Sequence, residues 1–398
     1  MPIRLARMNK KSTPVGFYSL RLHRLVFGAA LVGNCWLCSM SVVAGSAAVD
    51  VDYSALNDSN FSRTEQGHEE TIHLLGLGVM GAADLSKQQL KVALKFKQLY
   101  YDANQALDAS YVLGDANWHG QIGSKILLDA AIKRDAYAVD PLEYKGKDIV
   151  GKNEFIARAG YGTREKLSLW IGGTEINQTH SAIEREILDF DQQEVFAEFI
   201  AQKGASFQHQ LRVSNGERRY KTGVSSAGDF IDFDYRQYSY DLKWIKNTDN
   251  QFSLGIARFE REGEINSDTG VLWHAQWLRQ LTAKVSLQLG YEVNEPAAGE
   301  EIEFPTELND TSVALRWQVS PRWRIESHFA YSEQQYISQI TQAERDEKWQ
   351  RWRPLVLVYS GVKNFSVRLE AELYDRQSTL AFRDYEGEKI NLMLSLHF

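Results

Sequence analysis

The last ten residues of the chain, KINLMLSLHF, alternate between apolar and polar side chains. The even-numbered positions, Ile390, Leu392, Leu394, Leu396 and Phe398, are apolar, and we call such a set of alternate positions the apolar parity. The odd-numbered positions form the polar parity, and only Met393 among them is apolar. An extended chain with this period presents one continuous apolar face. A membrane-spanning barrel needs such a strand, and so does the buried edge of a soluble β-sandwich, so the rest of the chain must decide between them.

The same alternation recurs from Val49 to the end of the chain. We count about 18 segments with period two, each close to the roughly ten residues that cross a bilayer as a tilted strand. They include Leu90 to Phe96, Leu107 to Leu113 and Ile122 to Ile132. Between Val49 and the C-terminus no apolar run reaches the roughly 18 residues of a membrane helix, so any crossing there must be made by strands.

The connections between these segments alternate in length. Short turns are predicted, for example, at Ala83 to Leu85 and Ser320 to Pro321, whereas Asp135 to Gly151 and Asn294 to Asn309 are long and polar. A sandwich has no reason to keep its long loops at one end, but a bacterial barrel does. The pattern therefore predicts an all-β fold, a transmembrane antiparallel up-and-down β-barrel of about 18 strands. Its short turns and both termini would be periplasmic, and its longer loops extracellular.

Tryptophan positions favour the same fold. Trp244, Trp277, Trp317 and Trp323 each lie within a few residues of a predicted short turn, on the apolar parity. Amphipathic rings collect at the headgroup level of membrane barrels, although ordinary core packing is the alternative.

The first 48 residues read as a targeting segment. Six basic residues precede a mostly apolar run, Leu25 to Ala44, and small residues follow it. This is the pattern of a signal peptide, with cleavage after Ala47 or Ala48, so residues 49–398 would form the barrel. A retained membrane anchor is the alternative, and translation could equally start at Met8.

Several other classes of protein fit poorly. Without residues 1–48 the chain has 39 Lys plus Arg against 52 Asp plus Glu, a net charge of −13 that argues against a nucleic-acid partner. Both cysteines, Cys35 and Cys38, lie in the targeting segment, and the scattered histidines suggest neither a metal site nor a catalytic triad. Gly76 to Gly81 fits the dinucleotide fingerprint, but a strand pattern follows where a helix is required. We therefore predict no enzyme and no cofactor.

The polar parity predicts a lumen lined by both signs of charge. Positive residues are Lys91, Lys95, Lys97, Arg212, Lys243, Arg316 and Arg368, and negative ones are Glu194, Glu198, Asp241, Glu370 and Glu372. Mixed charge favours neutral or weakly charged polar solutes, sugars included. The candidate substrate-lining residues are Trp170, Arg212, Arg316, Glu194 and Glu370. Trp170 could stack on sugar rings, or belong to the aromatic girdle or a plug.

The C-terminal strand resembles that of bacterial outer-membrane barrels, in which a terminal Phe and the preceding apolar residues form the assembly signal. That resemblance assigns this role to Phe398, Leu396 and Leu394. More broadly, Asp52 to Phe61, Phe233 to Gln237 and the Phe398 ending resemble outer-membrane barrels associated with exopolysaccharide biosynthesis and export systems of proteobacteria.

The resemblance implies a pore that takes part in exopolysaccharide export across the outer membrane. The alternatives are a general diffusion porin for small polar solutes and a structural or adhesive barrel plugged by its own loops. Expected partners are outer-membrane lipid and lipopolysaccharide, the barrel-assembly machinery, and exopolysaccharide with periplasmic export components.

Overall fold

A computed structural model of the chain describes residues 45–141, 143–204, 206–221, 232–247, 249–264, 267–295, 305–337, 344–362 and 364–398. The predicted signal peptide lies outside these residues, except that Gly45 to Ala48 form the beginning of the first strand. No helix among the described residues is long and apolar enough to cross a membrane.

The described residues form 18 strands. They are β1 Gly45–Asp58, β2 Glu70–Leu85, β3 Gln88–Tyr101, β4 Ala109–Ile122, β5 Ile126–Ala138, β6 Ile149–Gly162, β7 Leu167–His180, β8 Phe190–Lys203, β9 Phe207–Tyr220, β10 Phe233–Asn247, β11 Asn250–Gly263, β12 Asp268–Thr282, β13 Val285–Asn294, β14 Pro305–Gln318, β15 Trp323–Ile337, β16 Glu344–Val362, β17 Phe365–Ser378 and β18 Tyr385–His397. Within the described residues there are three short 3-10 helices, at Gln105–Leu107, Ile183–Leu188 and Ala381–Arg383.

Each strand pairs antiparallel with its neighbours in the chain, and β1 also pairs with β18. The sheet is therefore a closed ring without a free edge, which satisfies the backbone groups of every strand. This confirms the predicted fold class, an antiparallel up-and-down barrel of 18 strands.

Short turns lie at one end of the barrel and longer loops at the other, as predicted. Several predicted bounds at the short turns are wrong: the strands continue into the turns predicted at Arg279 to Ala283 and Gly361 to Lys363, as far as Thr282 and Val362. The β2–β3 turn is formed by Ser86 and Lys87 rather than Ala83 to Leu85, because β2 continues through Leu85. The β4–β5 turn at residues 123–125 interrupts the segment that was predicted to run from Ile122 to Ile132; Gly123 has a φ of 64°, which favours glycine.

The apolar parity faces outward on nearly every strand. Leu94 is 57% exposed and Ile171 is 69% exposed, and exposed Leu, Ile, Val and Phe side chains recur on most of the strands. An apolar band of this extent is unfavourable in water and is typical of barrels in lipid. Trp244, Trp277, Trp317 and Trp323 face outward near the short turns, as an aromatic girdle requires.

Strand β4 is the exception. The alternation predicted that Ala109, Tyr111 and Leu113 would share the outward apolar face, but they pair with inward residues of β3 and face inward. Leu107, which was predicted to belong to this strand, instead ends a 3-10 helix. The reason is the loop between β1 and β2, residues 59–69, which packs an apolar side chain against this part of the inner wall.

The glycine-rich stretch of β2 is a strand, as its surroundings indicated. A Cβ on Gly76 would lie 3.1 Å from Cε of Lys95. Glycine at this position leaves room for the ion pair of Lys95 with Asp52 on the inner face.

Candidate functional site: the barrel interior

The five residues predicted to line the lumen all face inward. Trp170, Glu194 and Arg212 lie on β7, β8 and β9, and Arg316 and Glu370 lie on β14 and β17. In a ring of 18 strands, β7 and β16 are diametrically opposed, so the two sets occupy opposite walls. Contact of these residues with a solute stays a prediction.

A chain of alternating charges crosses the first wall, from β5 to β9. The guanidinium of Arg158 lies 2.9 Å from the carboxylates of both Asp129 and Glu198. Arg212 pairs with Glu194 and lies 3.8 Å from Glu198. Because each carboxylate is matched by a guanidinium, the two signs of charge largely cancel along this wall.

Trp170 belongs to this wall but is buried, with 3% of its surface exposed. Its indole N–H donates a hydrogen bond to the hydroxyl of Ser168 at 2.9 Å. The guanidinium groups of Arg158 and Arg164 lie over its ring, 4.4 Å and 5.1 Å from the centroid. The ring thus supports the charge network and presents little open surface, so stacking on a sugar would require an arginine to move.

A second charge chain crosses the opposite wall, from β14 to β17. Arg316 lies 2.9 Å from Glu326, and Arg368 lies between Glu326 and Glu370, at 3.8 Å and 2.9 Å. Arg353 extends the chain, 3.0 Å from Glu370. The Arg316 side chain is 60% exposed, which makes it the most accessible of the five predicted lining residues.

The loop between β1 and β2, residues 59–69, folds into the barrel instead of projecting outward. Phe61 is 7% exposed and packs against Leu99 and Tyr101 on the inward face of β3. Tyr111 of β4 joins this cluster. The inner wall is apolar here because the loop packs against it. This contact explains why the apolar side chains of β4 face inward. We call residues 59–69 the inserted loop.

Arg63 fixes the inserted loop to three parts of the barrel. Its guanidinium lies 2.8 Å from Asp58 at the end of β1 and 3.1 Å from Asp140 of the β5–β6 loop. It also donates a hydrogen bond to the Tyr374 hydroxyl on β17 at 2.8 Å. Because β5 and β17 lie on either side of β1 in the ring, this residue joins loops and strands around one sector of the mouth.

The ionisation of Arg63 matches this role. Burial opposes its positive charge, but the hydrogen bond to Asp58 and the nearby Asp140 outweigh that effect and raise the pKa of Arg63 above its usual value. Arg63 is therefore charged at any physiological pH.

Buried carboxylates hold other long loops at the same end. Glu70 accepts hydrogen bonds from the backbone N–H groups of Ala103 and Asn104, each at 3.0 Å. Asp148 accepts them from Ser181 and Ala182, at 2.9 Å and 3.0 Å. These bonds satisfy backbone donors that would otherwise be unpaired inside the barrel mouth.

Sequence reasoning missed the inserted loop and its anchor Arg63. The available signal was a Phe and an Arg within an otherwise polar connection, opposite apolar residues on the inward parity of β3 and β4. Within the described ranges, no group of three or more His, Cys, Asp or Glu side chains could hold a metal ion.

The residues of the predicted assembly signal close the ring. Leu394, Leu396 and Phe398 face outward, and Phe398 is 63% exposed. The backbone of Phe398 exchanges two hydrogen bonds with Val49, at 2.9 Å and 3.0 Å. Recognition of these residues during assembly stays a prediction.

Comparison with known proteins identifies barrels of the same fold. No protein-family model matches the chain. No curated protein matches it by sequence. Similar solved structures include OpdO from Pseudomonas aeruginosa, which is 12% identical with a TM-score of 0.54; the alignment covers 89% of this chain and 97% of that one.

A BenF-like porin from Pseudomonas fluorescens Pf-5 is 8% identical, with a TM-score of 0.55 and coverage of 89% and 99%. OccK2 of Pseudomonas aeruginosa, in a complex with glucuronate, is 9% identical, with a TM-score of 0.53 and coverage of 89% and 98%. At these identities the similarity establishes the barrel architecture alone.

Proposed function

We propose that this chain is an outer-membrane channel through which small polar solutes diffuse passively. In this proposal the short turns and both termini lie on the periplasmic side and the long loops lie outside. The proposal assigns no catalytic step to any residue.

The outer surface supports the membrane location. Outward Leu, Ile, Val and Phe side chains surround the ring, and exposed tryptophans such as Trp317 and Trp323 lie near the short turns. A barrel of this kind buries its apolar band in lipid and places its aromatic girdle at the headgroups.

The observation that carries the proposed function is the charged lining of both walls. Two chains of paired arginines and carboxylates face each other, and neither wall has a single sign of charge. Such a lining offers hydrogen-bond donors and acceptors to a polar solute. It presents no strong electrostatic barrier to cations or to anions. It favours neutral and weakly charged solutes of modest size.

The position of the inserted loop favours transport of small solutes over transport of a polymer. Phe61 and Arg63 hold it inside the mouth through buried contacts, so a polysaccharide chain would have to displace it. The complex of OccK2 with glucuronate is an example of a barrel of this fold that holds a sugar acid. Exopolysaccharide export, which the sequence resemblance implies, rests on that resemblance alone and stays a prediction.

Planar-bilayer recordings with the purified barrel test the proposal. We expect stepwise ion conductance with weak charge selectivity, and liposomes containing the protein should swell in monosaccharides faster than in larger oligosaccharides. A barrel that inserts into the bilayer but neither conducts ions nor admits a monosaccharide would contradict the proposal and favour a plugged barrel.

A strain that lacks the gene separates the two transport functions. Unchanged polysaccharide at the cell surface, together with slower uptake of small polar solutes, would support the diffusion channel. Polymer retained in the periplasm would support export instead.

A further inference from the structure

Every short turn of the barrel has a basic residue in it or within two residues of it. In the described part of the chain these are Lys87, Lys125, Lys166, Lys203, Lys246, Lys284 and Arg322, and Lys363 occupies the equivalent place in the sequence of the eighth turn. We call this set the basic rim. The chain as a whole has a net charge of −7, so its composition does not account for this concentration of positive charge.

The described members of the basic rim are exposed, and they form no ion pair with a carboxylate in the described residues. Two of them bond to carbonyl oxygens: Nζ of Lys87 lies 2.5 Å from the oxygen of Gly123, and Nζ of Lys284 lies 3.4 Å from that of Val319. By contrast, many cations on the inner walls are paired, for example Arg158 and Arg353. The charge of the rim is therefore available to an external anion.

The basic rim lies next to the aromatic girdle. Lys246 follows Trp244 by two residues, and Arg322 directly precedes Trp323. The guanidinium of Arg279, close to the β12–β13 turn, lies 5.7 Å from the ring centroid of Trp277. Tryptophans at this position mark the headgroup level, and long basic side chains just beyond them reach lipid phosphates.

We infer that the basic rim binds anionic phospholipid headgroups of the leaflet that surrounds the short-turn end. The distribution of the described cations, one in or near each of seven short turns that follow one another around the ring, fits an annulus of lipids. A protein partner would instead need a contiguous patch on one side. This inference rests on the proposed membrane location but not on the pore.

Quenching of tryptophan fluorescence by brominated lipids tests the inference with the full-length barrel. At low ionic strength we expect brominated phosphatidylglycerol to be enriched around the wild-type protein about threefold over brominated phosphatidylcholine. High salt should remove most of this preference, because it screens exposed charges.

Two variants of the same four positions show whether the lipid preference depends on the positive charge or on some other property of the side chains. A quadruple Gln variant at Lys87, Lys125, Lys203 and Lys246 removes half of the basic rim and should lose about half of the preference, and the matching quadruple Arg variant should keep it. Gln at Lys145 and Lys147, at the opposite end, should change nothing. Conductance measured on each variant shows whether the barrel still forms its channel.

Equal quenching by the two lipids around the wild-type protein would overturn the inference, as would a full preference in the quadruple Gln variant. Reduced lipid preference with normal conductance would support it and leave the proposed pore intact. Normal lipid preference in a barrel that does not conduct would contradict the pore but not the basic rim.

Discussion

The guanidinium of Arg63 lies 2.8 Å from the carboxylate of Asp58, and both side chains are almost completely shielded from solvent. A buried ion pair is costly to form but more costly to break, because removal of one partner leaves the other charge without compensation. The pair therefore makes the inserted loop a fixed part of the mouth. A single substitution, at Arg63, can therefore test whether the loop limits the channel.

Replacing Arg63 by Ala should release the inserted loop. We expect the unfolding free energy to fall by about 3 kcal/mol, the lower end for a broken buried ion pair, because Asp58 keeps the hydrogen bond from Tyr374 and the more distant Lys389, at 3.9 Å. Single-channel conductance should rise as the loop leaves the mouth. Denaturant unfolding and bilayer recordings measure the two effects.

Arg219 supplies the matched control for this variant. It is an exposed arginine on the outer face, paired with Glu217 at 2.7 Å. Arg219→Ala should cost less than about 1 kcal/mol and leave conductance unchanged. If Arg63→Ala conducts like the wild type, the inserted loop does not limit the channel.

Neighbouring residues on β3 test the two faces of the wall. Leu94→Arg should destabilise the barrel by about 2–4 kcal/mol if Leu94 meets the bilayer midplane. Lys95→Leu removes a half-exposed partner of Asp52 on the lumen side and should cost about 1 kcal/mol or less. Unfolding in lipid vesicles measures both costs, and equal values would contradict the assignment of faces.

Glu326 offers a test of ion selectivity. Its carboxylate lies 2.9 Å from Arg316 and 2.7 Å from Arg324. Glu326→Gln should leave this wall with excess positive charge and shift the channel toward anions. The reversal potential in a salt gradient measures the shift, and Glu262→Gln on the outer face should not reproduce it.

Cysteine labelling tests the orientation. A cysteine at Lys145, in a long loop, should react with an impermeant thiol reagent on intact cells. One at Lys125, in a short turn, should react only after the outer membrane is permeabilised. The opposite result would invert the proposed topology.

Phe398 tests the predicted assembly signal. Phe398→Asp should reduce the amount of folded barrel in the outer membrane and leave unfolded chain to periplasmic proteases. Heat-modifiable migration on gels reports the folded fraction. His397→Asn, on the inward parity next to it, should assemble normally.

The barrel itself could be predicted because its main signal is local. Apolar residues such as Leu90, Val92 and Leu94 repeat with period two, and that period follows directly from strand geometry. The number of strands and most of their faces follow from counting such segments.

The inserted loop could not be predicted in the same way. Its contacts join Arg63 to Tyr374 and Asp140, residues that are far apart in the chain and meet only after the ring closes. Tyr111 and its neighbours on β4 have the ordinary strand period, so this period alone does not indicate that their apolar face points inward and packs against a loop. The burial of Trp170 under Arg158 and Arg164 likewise depends on three separate segments.

The hydrogen-bonded pair of Val49 and Phe398 has a consequence for biosynthesis. They join β1 and β18, the first and last strands of the ring in chain order, so the ring cannot close until β18 is present. Until then β1 and β18 are open strand edges beside a wide apolar surface, the combination that promotes aggregation. We therefore expect this barrel to need protection from aggregation until the seam between β1 and β18 has formed.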